Sequence, residues 1–140
     1  MFAVKMQKYL GKPFRVGATG PDAYDCVGFV YRYVKDTGKK IANSFEGFTP
    51  NNYTQIIQND QKLEDDKINE WAKTLGKELK PSQALAGDVV IVQSGSRRWP
   101  CVYCGNGHAI SVSRSLGVRV IKIDHKHVNI ILAVRVKDNV

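Results

Sequence analysis

The sequence predicts a single α+β domain in which N-terminal helices pack on an antiparallel β-sheet. Three observations carry that reading. Apolar residues in the first third of the chain recur at helical spacing, β-branched runs dominate the chain after Pro81, and 140 residues suit one core and one domain, residues 1–140. Hydrophobic residues make up 43% and charged residues 24% of the chain, a balance that excludes a disordered chain. No apolar run reaches the roughly 18 residues of a membrane span. Lys5 and Lys8 interrupt the mildly apolar start, which also lacks a small-residue cleavage site, so no secretory signal is expected.

Phe2, Met6, Tyr9 and Leu10 fall at helical spacing and stop at Gly11, with Pro13 close behind, which predicts a short first helix. Residues 11–24 hold too many glycines and prolines for regular structure and form a loop. Val27, Val30, Tyr31 and Val34 then keep the i, i+3, i+4, i+7 pattern, with Asp25 placed as an N-cap and Gly38 as a stop, so a second helix follows the loop. Tyr53, Ile56 and Ile57 suggest a short helix after Pro50, and Ile68, Trp71, Ala72 and Leu75 another ending at Gly76. Strands are predicted at Val89 to Gln93, Ala109 to Ser113, Val118 to Asp124 and Ile130 to Val136. A loop is expected from Ser94 to Gly107.

The net charge of +8 is uneven, with basic ends and a slightly acidic middle. Such a surface speeds encounter with polyanions, of which an anionic cell wall is one and nucleic acid another. The basic residues are scattered, with Lys39-Lys40 and Arg97-Arg98 the only adjacent pairs, which argues against a dedicated nucleic-acid surface. Three cysteines do not make a disulfide scaffold, so their chemistry matters more than cross-linking.

Cys26 stands at the first turn of the second helix, where unpaired backbone N–H groups and the helix dipole favour a thiolate. A thiol in that place serves either as a nucleophile or as a small buried hydrophobe. A nucleophilic thiol needs a base within hydrogen-bond reach, itself oriented by a third group. His108, which opens the apolar run Ala109-Ile110-Ser111-Val112, is the candidate base.

Gly11-Lys-Pro-Phe-Arg-Val-Gly17 and Tyr24-Asp25-Cys26-Val27-Gly28-Phe29-Val30 resemble the start of an NlpC-type cysteine peptidase, whose signature is Gly-x-Pro-Tyr followed by Asp-Cys-Ser-Gly-Leu-Val. Ala86-Gly87-Asp88-Val89 is similar to that family's Pro-Gly-Asp-Leu strand, and His108-Ala-Ile-Ser-Val112 to its His-Val-Gly-Ile-Tyr strand. The resemblance implies a papain-like fold and a hydrolase of peptidoglycan stem peptides, with Cys26 as nucleophile and His108 as base and then acid. The oxyanion would meet the Cys26 N–H and a donor from the Arg15 to Thr19 loop. No cofactor and no metal are implied. Val27 in place of the usual serine looks most like versions carried by phages as tail-associated wall peptidases, which implies other tail proteins as partners and a place in a virion.

The third site residue departs from the family's pattern. A hairpin turning around Ser115 to Gly117 would set position 123 or 124 opposite His108, which makes Asp124 the candidate to orient it; a one-residue shift brings in His125, and another alignment Lys122. Cys101, Cys104 and His108, with His125 and His127, could alternatively hold a zinc ion and stabilise a nucleic-acid binder. Trp99 and Tyr103 could line a substrate groove. The rival to a hydrolase is a catalytically silent tail-assembly or wall-binding module of the same fold.

Overall fold

A computed structural model describes residues 6–15, 18, 20–36, 69, 70, 72, 73, 75–95, 97–124 and 126–136. Among them, helix α1 spans Cys26–Asp36 and six strands follow: β1 Gly76–Leu79, β2 Val89–Ser94, β3 Arg97–Gly105, β4 His108–Ser113, β5 Gly117–Lys122 and β6 Asn129–Val136. All pairings are antiparallel, in the order β1-β6-β2-β3-β4-β5. The α+β prediction holds, with a helix on one face of an antiparallel sheet.

Helix α1 begins where its sequence requires. The buried Asp25 carboxylate accepts the Gly28 N–H at 2.7 Å, satisfying one of the donors that a helix start leaves open. Its inward face buries Val27, Phe29, Val30, Tyr33 and Val34. At its other end Asp36 accepts from the Tyr9 hydroxyl at 2.8 Å and pairs with Lys8 and Arg32, which offsets an acid at a helix C-terminus.

Strand alternation builds two apolar layers. Val89, Ile91, Val102, Ile110, Val112, Val118, Leu132 and Val134 join the helix in one cluster, while Val90, Val92, Cys101, Ala109, Ile123 and Ala133 form a second. Four successive residues of β2, Val89 to Val92, are therefore buried, as suits a central strand covered on both faces. Each such side chain contributes roughly 1.5–3 kcal/mol of burial.

Two strands stand where none is expected. The predicted loop from Ser94 to Gly107 is largely β3, which pairs with β2 from Val89↔Val102 to Ser94↔Arg97. Pro100 is tolerated because the ladder to β4 starts only at Val102. Gly76, expected to end a helix, opens β1, and its missing side chain lets the Arg135 carbonyl approach, which a Cβ would overlap. Asn69, Glu70, Ala72 and Lys73 are helical and Ala72 and Leu75 are buried, as the spacing predicts. Met6 is helical and is followed by a turn to Gly11. Tyr9 and Leu10, expected in the first helix, therefore lie in a turn, while Phe2 and the helix expected at Tyr53 to Ile57 lie outside the described residues.

Candidate functional site

The loop before α1 is tied to its surroundings strand-fashion. Tyr24 N–H donates to Pro13 C=O at 3.0 Å and Arg15 N–H to Tyr24 C=O at 3.1 Å, while Gly11 and Lys12 exchange hydrogen bonds with Val118 of β5. Tyr9, Tyr24 and Phe29 meet edge to face at 5.4–6.0 Å between ring centroids. These contacts deliver Cys26 to the first turn of α1, half-buried, with its Sγ donating to the Val112 carbonyl of β4 at 3.5 Å.

Val112 lies at one end of β4 and His108 at the other. Four residues at about 3.3 Å each separate them by about 13 Å along the strand. At its own end, His108 donates Nδ1–H to the Asn106 carbonyl at 2.9 Å, and its partner across the hairpin is Lys122. The orientation of α1 agrees: Tyr33, two turns along, donates to the Gly87 carbonyl, and Gly87 N–H bonds Tyr103 of the strand segment near His108. The structure thus does not bring the Cys26 thiol and the His108 imidazole within hydrogen-bond reach.

Asp124 does not orient His108 either. Its exposed carboxylate accepts from His127 Nδ1 at 2.8 Å and from Lys126 N–H at 3.0 Å, and the His127 bond, before the backbone bond, holds its carboxyl below the ordinary range. The three-residue turn Arg114 to Leu116 closes on the pair Ser113↔Gly117, which sets Lys122, not position 123 or 124, opposite His108. An ammonium has no acceptor with which to hold an imidazole N–H. His125 lies outside the described residues.

The residues around Cys26 are different ones. Across the sheet Cys101 is fully buried; burial pushes its thiol far above the ordinary value, hydrogen bonds from Ser111 and Trp99 work against that, and nearby Cys26 adds to the rise. Cys101 belongs to one apolar layer and Cys104 packs against the other, so the Cys-x-x-Cys pair does not converge on one point. No group of three His, Cys, Asp or Glu able to hold a metal occurs among the described residues. Tyr103 accepts the Gly107 N–H at 3.1 Å and so props the β3–β4 turn. Within the loop expected to supply an oxyanion donor, Arg15 N–H is spent on Tyr24 and Ala18 N–H on Arg15.

The Gly87-Asp88 motif is a structural corner. Asp88, almost fully buried, accepts Leu85 N–H at 2.8 Å and two bonds from Arg135 of β6 at 3.2 and 3.0 Å, and its carbonyl accepts Tyr103 N–H. Two signals the sequence reading passed over define this region. Asn106-Gly107, both at positive φ, forms a tight hairpin turn, and Arg114 lies over the Phe14 ring two residues after Val112.

A glycine-rich approach, a thiol opening a helix and a Gly-Asp strand on an antiparallel sheet define a papain-like α+β domain. The profile of the NlpC/P60 family matches residues 11–134, and the chain belongs to that family. Its fold is similar to that of the NlpC/p60 domain of the peptidoglycan hydrolase SagA, at 24% identity and a TM-score of 0.62 over 96% of this chain and 95% of that one. It is also similar to NlpC2 from Trichomonas vaginalis, at 15% identity and a TM-score of 0.62, over 96% of this chain but 45% of that one. RipD from Mycobacterium tuberculosis, described as a non-catalytic NlpC/p60 domain protein adapted to peptidoglycan binding, is similar at 18% identity and a TM-score of 0.59, over 97% of this chain and 95% of that one. Comparison with the curated proteins finds no match. No helix among the described residues is long and apolar enough to cross a membrane.

Proposed function

We propose that this chain binds peptidoglycan stem peptides at the Cys26 end of its sheet without cleaving them through Cys26 and His108. The single observation that carries the reading is the Cys26 Sγ bond to Val112 while His108 sits at the opposite end of the same strand. The strand order supports it. The strand that follows the Gly-Asp strand β2 in the chain and pairs with it is β3, and Trp99-Pro-Cys-Val-Tyr103 there keeps the spacing of His-Val-Gly-Ile-Tyr with tryptophan in the histidine's place. Membership of the NlpC/P60 family supports a peptidoglycan ligand, RipD is described as combining this fold with binding alone, and a net charge of +8 suits an anionic wall. A tail-associated setting belongs to the same proposal, resting on Val27, and immunodetection in purified virions tests it.

A second reading, hydrolysis by Cys26 with a base other than His108, draws on the half-buried thiol at a helix start. Incubation with purified sacculi separates the two: the protein sediments with the sacculi, and chromatography shows no soluble muropeptides above a no-protein blank. Release that disappears in Cys26→Ala overturns the binding reading in favour of hydrolysis.

A further inference from the structure

The β4–β5 turn presents a cation two residues beyond the Val112 carbonyl that receives the Cys26 thiol, and its position is held from several sides. Arg114, exposed, places its guanidinium carbon 5.6 Å from the centroid of the Phe14 ring. Phe14 is half-buried and bridges to Tyr24, two residues before Cys26. Arg114 also lies two residues after Val112, whose carbonyl receives the Cys26 thiol. The turn itself is braced: Ser113 Oγ accepts Ser115 N–H and Leu116 N–H, each at 3.3 Å, and Gly117 packs so closely on the Lys12 carbonyl that a Cβ would overlap it. No carboxylate among the described residues pairs with Arg114, whereas Arg32 and Arg135 each have one. Beside it Leu116 is 60% exposed, an apolar contact at the same tip.

A guanidinium resting on an aromatic ring keeps its N–H groups available and loses little freedom when it binds a planar anion. We infer that Arg114, steadied by Phe14, is the specificity residue of the Cys26 end of the sheet and receives a free carboxylate of the bound peptide. This rests on the peptide-binding reading above and names what that site selects. The fork of Arg114 forms charge-assisted bonds to a carboxylate that it cannot form to a carboxamide. Peptides whose carboxylates are amidated are therefore discriminated against.

Titration of the whole chain with two synthetic stem tripeptides, one with free carboxylates and one fully amidated, tests the inference. Wild type binds the free form about 10-fold more tightly, an advantage that shrinks with added salt. Arg114→Gln, at an exposed turn position with its fold checked by circular dichroism, binds both forms alike, and Phe14→Leu falls between. Equal affinity of wild type for the two peptides overturns the inference, as does discrimination that survives in Arg114→Gln. Both results leave the peptide-binding reading intact if sacculi are still bound. A wild type that binds neither the peptides nor sacculi overturns both.

Discussion

Asp25 and Cys26 are neighbours with separate tasks. The Asp25 carboxylate caps α1 from a buried position, so Asp25→Ala is expected to cost about 1–2 kcal/mol, read as a lower urea midpoint at unchanged slope. Its role was legible in the sequence because a cap depends only on a polar residue standing just before an apolar helical pattern. Asp124 was not legible in that way. Its partner is chosen by the turn at Lys126 and His127, and nothing in the spacing of the strands announces that His127 rather than His108 takes the carboxylate. Asp36 brings a pH dependence. Burial would raise its carboxyl, but the Tyr9 hydroxyl, Lys8 and Arg32 together outweigh that and hold it below its ordinary value of 3.8. The unfolded chain then binds a proton more readily than the folded one. This contribution to stability is complete above that ordinary value and is lost as pH falls through the lower folded value. In thermal scans from about pH 5 down to about pH 2, Asp36→Asn should therefore lose less stability than wild type.

Elements that rest on periodicity were readable, namely α1, β2, β4, β5 and β6. The strand β3 was hidden because Pro100, two arginines and Gly105 read as breakers, although Asn106-Gly107 between two apolar stretches is a strong hairpin signal. A loop there would leave β4 as the next strand after β2, with His108 at its start as the histidine candidate. The hairpins also locate the weak points of the sheet. Gly117 has φ +75° and abuts the Lys12 carbonyl, so Gly117→Ala meets both backbone strain and a clash, and a loss of about 2 kcal/mol or more is expected by denaturant unfolding. Asp88 links the start of β2 to β6, and Asp88→Ala strands a backbone donor and loosens Arg135. A cost of about 2–3 kcal/mol is expected, appearing as a lower thermal midpoint.

For the whole molecule, fold class followed from the order of helical and β-branched segments, while the site depended on a relation that order does not contain. That relation is which end of β4 the start of α1 meets. The helix crosses the sheet with Cys26 over Val112 and Tyr33 toward Gly87, which sets the thiol at the opposite end of β4 from His108. Alkylation of Cys26 by iodoacetamide, followed by peptide mass spectrometry across pH in wild type and His108→Ala, tests that separation most directly. Superimposable pH–rate profiles are predicted, because an imidazole about 13 Å along the strand cannot share a proton with the thiol. A profile that moves to higher pH, or a rate that collapses near neutrality, when His108 is removed would contradict it.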